Sequence, residues 1–400
     1  MRVGLNALTL RPGKVGGTEV YFRNLIAALA QGDQENEYLV LCNAESFRSL
    51  RMPHPNFQHA LITVPSRPLL QLPKRVVRKV KNVLRGRRPR ASFQEDLLAE
   101  KLDALGMDVI HHPFSVIYPL SISTPAVLTF WDMQHEFFPQ FFSDSVLAWR
   151  KENYEASTEL ARRIIVSSHF TEATLTAQYG VSPGKITTIY FGVGPEFRQP
   201  IGLGQIAELR AKYGLSDRLV FYPAATFPHK NHIRLLHAFK RLCDRLGTDI
   251  QLALTGAEMA GEADLRQTIQ ALDLERQVKR LGYVPASELP AMYAAASLMV
   301  FPSLFEGYGI PLIEAMTVGC PIACSNASAI PELVGDAALL FDPLDVEAIA
   351  SAMFRLLKEK DLVDDLTTRG RRQSAKYSWR AAAGQTADLY RSAVKADNTS

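Results

Sequence analysis

Short apolar, β-branched runs alternate along most of the chain with stretches in which apolar residues recur at helical spacing. In the first half the runs predict strands at Arg2–Asn6, Tyr38–Cys42, Phe57–Val64, Asp108–His111, Ala126–Phe130, Arg163–Val166 and Ile186–Tyr190. Helical patterns fall at Thr18–Ala30, Ser145–Ala161 and Phe170–Tyr179. The second half repeats the scheme, with strands at Leu219–Tyr222, Ile250–Leu254, Val278–Leu281, Leu298–Phe301, Ile322–Cys324 and Ala338–Phe341, and helices that include Ile233–Leu246 and Val346–Lys358. Strand–helix alternation predicts parallel sheets covered on both faces. Two such series predict an α/β fold of two Rossmann-like, doubly wound domains, joined near Gly192–Gly204, where Gly and Pro cluster. Ligands of open α/β sheets bind beyond the carboxyl ends of the strands, so the main site is expected in the cleft between the halves.

Composition agrees with this plan. A chain of 400 residues exceeds what one core usually organises. With 47% hydrophobic and 22% charged residues it is an ordinary globular protein, not a disordered one. The opening Met-Arg-Val-Gly-Leu-Asn reads as a strand rather than a signal sequence, and no apolar run approaches a membrane span. Cys42, Cys243, Cys320 and Cys324 sit in apolar surroundings without metal-ligand spacing, as buried thiols of a reducing cytoplasm do. The net charge of +4 is too small for a general nucleic-acid binder. It is unevenly spread, however. Ten Lys or Arg and no acid lie between Arg67 and Arg90, and Val76, Val77, Val80, Val83 and Leu84 within that stretch follow helical spacing. Two readings stand for residues 74–90: a helix attached to an anionic membrane surface or lipid-linked substrate, or a solvated helix packing its valine stripe on its own domain.

The densest chemistry lies in Phe301-Pro-Ser-Leu-Phe-Glu-Gly-Tyr-Gly-Ile-Pro-Leu-Ile-Glu-Ala-Met316. A strand precedes this run. A helix follows, opened by Pro311 and closed by Gly319. A loop with Gly307 and Gly309 lies between, and its backbone N–H groups could hold a phosphate at the helix N-terminus. Glu306 and Glu314 would flank whatever that phosphate carries, although a capping or surface acid is the plainer alternative for each. Lys230 follows the strand Leu219–Tyr222 across a short loop, a place from which an ammonium can reach a phosphate at the strand end. No two aspartates are separated by one residue, so there is no Asp-x-Asp pair to hold a cation on a diphosphate, and no metal is expected.

Around that run, Pro228-His-Lys-Asn231, Leu254-Thr-Gly256, Gly282-Tyr-Val-Pro285, Gly319-Cys-Pro321, Ile330-Pro-Glu-Leu333 and Leu340-Phe-Asp-Pro343 occur in order. With these markers the chain resembles the retaining nucleotide-sugar glycosyltransferases of the GT-B fold, glycosyltransferase family four (group 1), over nearly its whole length. The resemblance implies an acceptor-side domain at 1–195, a nucleotide-sugar domain at 196–375, and a segment 376–400 whose helix returns to the first domain. It implies that Glu314, expected in the helix's first turn, holds the ribose diol and that Glu306 contacts the donor sugar. Lys230 would neutralise the leaving nucleoside diphosphate, and Gly307, Tyr308, Gly309 and Ile310 would offer it N–H groups. Tyr283 and Val284 would cradle a base whose identity is not readable. Gly16 and Gly17 could approach the donor across the cleft, or form an ordinary strand-to-helix turn.

Two landmarks depart from the family. Ala225 stands where many members carry an arginine five residues before the lysine, and His229 is one candidate to compensate. Trp131 stands in the usual histidine place, followed by Asp132, the better candidate for the cleft; His135 either replaces the missing imidazole or is a core histidine. The expected activity is metal-independent transfer of a hexose, mannose first, from a nucleoside-diphosphate sugar such as GDP-mannose to a glycan or lipid-linked glycan, with no cofactor, in the cytoplasm or on the inner membrane face. Alternatives on the same fold are a nucleotide-sugar epimerase, a sugar-phosphate synthase, or a catalytically silent sugar-nucleotide or glycan-binding protein.

Overall fold

Thirteen strands, every one paired in parallel, form two sheets among the described residues. The computed structural model describes residues 1–13, 16–52, 54–63 and 93–395, so the basic segment 74–90 and the tail 396–400 lie outside the described residues. The first sheet runs β3-β2-β1-β4-β5-β6-β7. Its strands are β1 (Arg2–Ala7), β2 (Glu37–Cys42), β3 (Phe57–Leu61), β4 (Val109–His112), β5 (Ala126–Phe130), β6 (Arg163–Val166) and β7 (Ile186–Thr188). The second runs β10-β9-β8-β11-β12-β13, with β8 (Leu219–Pro223), β9 (Gln251–Thr255), β10 (Val278–Gly282), β11 (Leu298–Phe301), β12 (Ile322–Ser325) and β13 (Leu339–Phe341). Strands such as β5 and β11 are buried at every position, which is why they read as continuous apolar runs rather than alternating ones. The chain order reverses between β1 and β4 in one sheet and between β8 and β11 in the other. Those reversals open the crevices in which doubly wound sheets bind ligands.

Three strands are shorter than the pattern predicts. β3 ends at Leu61 and not at Val64, β7 ends at Thr188 and not at Tyr190, and β13 begins at Leu339 and not at Ala338. The reason at β7 is tertiary: Tyr190 and Phe191 leave the sheet and pack where the two domains meet. There Phe191 stacks on Tyr308 at 4.1 Å and on Trp379 at 5.1 Å, and Tyr21 meets Trp131, Phe191 and Trp379 at 4.6, 5.1 and 5.6 Å. Offset and edge-on aromatic pairs at these distances add attraction beyond their buried area. Through this knot one hydrophobic core continues from the inner face of the first sheet into the second domain; a separate core covers the other face of the first sheet.

The helix Trp379–Lys395 crosses back and lies along the helix Gly17–Gly32 of the first domain. Its Tyr390 hydroxyl is 2.8 Å from His111 Nδ1, and His111 Nε2 is 2.7 Å from the Thr129 hydroxyl, a wholly buried chain from the last helix to β4 and β5. Desolvation pushes the His111 imidazole down to about 3, so it stays neutral and can bond both neighbours. Among the described residues no helix is long and apolar enough to cross a membrane.

Candidate active site

The site grows out of the β8/β11 reversal. After β8 the chain turns through the short 3-10 helix Pro228–Lys230 into Asn231, whose φ of 62° is left-handed. Asparagine tolerates that conformation. Its buried amide donates to Pro302 O at 3.0 Å and to Pro343 O at 2.8 Å, tying this turn to the ends of β11 and β13. The Tyr222 hydroxyl donates to Lys230 O at 2.8 Å and fixes the lysine's backbone from below. Lys230 Nζ thereby lies 2.5 Å from Glu306 Oε1, and both side chains are more than four-fifths buried. The two residues that sequence assigned to separate tasks form one ion pair in this structure.

From Glu306 the loop runs under tight constraint. The Ser328 hydroxyl accepts the Glu306 N–H at 2.8 Å, so that N–H is already spent. Gly307 abuts the first domain. A Cβ there would stand 2.2 Å from Trp131 O and 2.9 Å from Asp132 Cβ, and its carbonyl accepts from the hydroxyls of Ser167 and Ser168 at 3.1 and 2.8 Å. The Tyr308 side chain is buried in the aromatic knot, its hydroxyl bonding both main-chain groups of Phe191. Gly309 has a φ of 131° and precedes the helix Ile310–Val318, which it leaves without a side-chain cap. Among the described residues nothing accepts a hydrogen bond from the N–H of Gly307, Tyr308 or Gly309. These donors lie at an uncapped helix N-terminus beside Lys230, a setting that favours an anion.

Across the cleft, Gly16 (φ 57°) opens the helix Gly17–Gly32, also without a side-chain cap. A Cβ on Gly17 would lie 3.7 Å from Ile310 Cδ1, so the two helix N-termini approach each other from opposite domains.

Glu314 is the fifth residue of its helix, not a first-turn residue as expected. Its carboxylate accepts from Tyr293 OH at 2.6 Å. Loss of water pushes it up to about 7, with the Tyr293 bond opposing and Glu196 reinforcing the rise. Tyr283 is exposed on the loop after β10, whereas the Val284 side chain is buried. Asp132 is half-buried against Gly307 and accepts the Gln134 N–H at 2.9 Å. His135 is buried in the first domain, its ring against Tyr154 and Phe142 and its Nε2 3.1 Å from Tyr179 OH. Among the described residues no three His, Cys, Asp or Glu side chains are grouped to hold a metal ion.

Residues 205–373 match the model of glycosyl transferases group 1, and residues 15–197 match that of glycosyltransferase family 4. An O-antigen chain mannosyltransferase B of Escherichia coli is 30% identical over 285 residues, which are 71% of this chain and 74% of that protein. The chain belongs to glycosyltransferase family four, group 1. An MMP α-(1→4)-mannosyltransferase of Mycolicibacterium hassiacum is also 30% identical to this family-four transferase, over 60% of the chain and 57% of the relative. In fold the transferase is similar to the sucrose-phosphate synthase of Thermosynechococcus elongatus (TM-score 0.75, 21% identity, covering 99% and 100% of the two chains). It is likewise similar to Anabaena Alr3699/HepE in complex with UDP and glucose (0.74, 19%, 98% and 100%). The two sheets are those of GT-B enzymes.

Both family departures now have a structural setting. Trp131 is a packing residue: its indole N–H donates to Pro113 O at 2.8 Å and its ring meets Tyr21 edge-on. Ala225 lies in a turn pressed against Gly256, where a Cβ on the glycine would stand 2.6 Å from Ala225 N. Burial, with Lys230, His232 and Arg150 adding to it, pushes His229 down to about 2, so it offers the transferase no positive charge at neutral pH. Sequence reasoning missed Ser328, Phe191 and Glu332. The Glu332 carboxylate reaches from the second domain to the His169 and Phe170 N–H groups, at 2.7 and 3.1 Å, and to Tyr190 OH at 2.5 Å. Its one sequence signal was membership of the Ile330-Pro-Glu-Leu333 marker.

Proposed function

We propose that this transferase moves a hexose, with mannose the first candidate, from a nucleoside-diphosphate sugar to a hydroxyl of a glycan or lipid-linked glycan, retaining the anomeric configuration and without a metal. The observation that carries the reading is the set of unpaired N–H groups from Gly307 to Gly309 at the uncapped Ile310–Val318 helix, with Lys230 beside them. Such donors, fixed before the reaction, stabilise charge that develops on a leaving diphosphate. The mannosyltransferase names of two relatives support mannose as the sugar.

In this scheme donor binding redirects Lys230 from Glu306 to the diphosphate. Glu306, released on the same side, then accepts from a donor-sugar hydroxyl. Glu314 accepts from the ribose diol, and the loop after β10, with Tyr283 and Val284, borders the base. Gly16 and Gly17 close over the phosphates from the first domain, and Asp132 stands at the sugar's far side. The acceptor oxygen bonds to the anomeric carbon on the face from which the diphosphate leaves, and its proton passes to a departing phosphate oxygen. The enzyme needs no covalent nucleophile for this step, and closure excludes the water that would hydrolyse the donor.

The test is incubation of the full chain with GDP-mannose, UDP-glucose and other donors plus saccharide acceptors, with anomeric configuration read by NMR. Transfer with retention is expected; donor rearrangement without transfer, or inversion, would refute the reading. For Glu306→Ala at saturating donor, single-turnover rates should fall by about a hundredfold, in the range of losing one transition-state contact. An unchanged rate removes Glu306 from the chemistry.

A further inference from the structure

Lys230 is the cation paired with the loop's Glu306, which already compensates it. Other arginines of that domain are engaged elsewhere: Arg280 with Glu262 and Glu258, Arg234 with Asn231. A diphosphate leaving group carries more than one negative charge, so the site as built from the second domain is short of positive charge.

The first domain supplies an uncommitted one. Arg150 lies on the helix Asp144–Leu160 and is half-buried. Its guanidinium sits 4.5 Å from the centre of the Phe142 ring and 5.7 Å from that of Tyr154. Aromatic faces hold an arginine in place without neutralising it. Among the described residues no carboxylate pairs with it. The chain segment that leads into Phe142 carries aromatics that reach the site. Phe138 stacks on Phe141 and meets Phe305, and Phe137 meets Phe305 at 5.2 Å, one residue before Glu306. The charge of Arg150 also bears on His229, the neighbour of Lys230 in the other domain.

We propose that Arg150, held on Phe142 and Tyr154, reaches across the cleft as the second cation on the donor diphosphate. The inference rests on the donor reading above. An arginine in that position can grip two phosphate oxygens with its planar fork, which a lysine cannot. Because it comes from the first domain, its contact would form only when both domains face the donor, so it rewards closure.

Calorimetric titration of the full chain with GDP and UDP, with GMP and UMP as controls, tests the assignment. Arg150→Ala should weaken the diphosphate that the unaltered protein binds by about tenfold to a hundredfold, the usual range for a charge-assisted contact. Its affinity for the matching monophosphate should change by less than about twofold, since a base-and-ribose grip stays intact. Arg150→Lys should restore part of the loss, and an unchanged Tm in both variants shows that the fold is kept. Equal diphosphate affinity in Arg150→Ala and the unaltered protein overturns the proposal. So does a defect confined to the KM of a phosphate-bearing acceptor, which would move the anion from donor to acceptor. If the unaltered protein binds neither diphosphate, the donor reading itself falls, and this proposal with it.

Discussion

On the proposed donor reading, Glu314 senses both ligand and acidity. Its carboxyl, held near 7, is partly protonated at neutral pH. A protonated carboxyl gives up one of the acceptor positions that a ribose diol would use. On that reading the ionised form binds the donor, and it becomes the major form only as pH rises through about 7. Donor affinity should therefore strengthen between about pH 6 and pH 8, by at most about tenfold per pH unit for a single proton. Glu314→Gln should bind more weakly and lose the slope, and titration of nucleotide at a series of pH values would show whether it does. At this scale the sequence pointed to Glu306, Glu314 and Lys230 by position alone. It could not show that Lys230 and Glu306 pair, because residues 76 apart meet only through the folded β8/β11 crevice. It also left His135 open; the structure buries that ring among first-domain aromatics.

The loop between β11 and its helix is shaped by two different glycine requirements. Gly309 needs its positive φ, whereas Gly307 needs the absence of a Cβ against Trp131 O. Gly307→Ala would press a methyl into that carbonyl and lift the loop from Ser167 and Ser168. The expected outcome is a Tm lowered by several degrees, from about 1–3 kcal/mol of overpacking. Transfer activity should fall as well, with nucleotide binding to the second domain largely kept. Calorimetry and nucleotide titration on the same preparation separate these effects, and an unaltered Tm would contradict the close approach. Most elements were legible because most strands are dominated by apolar residues and helices such as Val346–Lys358 carry an apolar face; Ala126–Phe130, Arg163–Val166 and Val346–Lys358 match the pattern to the residue. The aromatic knot was not legible. Its members come from a helix, a strand end, a linker, a loop and the last helix, and no spacing rule connects them.

For the molecule as a whole, buried histidines set a limit on acid tolerance. His111 and His112 are pushed down to about 3 by burial, and His232 to about 4. Each is near 6.5 when the chain is unfolded. Below that value the unfolded chain takes up protons that the folded one refuses. The stability due to neutral burial is therefore full above about pH 6.5 and is lost as pH falls towards 4, at up to about 1.4 kcal/mol per histidine per pH unit. Tm should decline steadily from pH 6.5 to 4.5, before most carboxylates titrate; a flat Tm over that window would refute the assignment.

The returning helix has a consequence for how the chain is made. The first sheet is complete in sequence at β7, yet His111 gains its second partner, and the Gly17–Gly32 helix part of its packing, only from Trp379–Lys395. A ribosome delivers that helix after the whole second domain. During synthesis the earlier half therefore waits with an open seam until residues 379–395 have emerged.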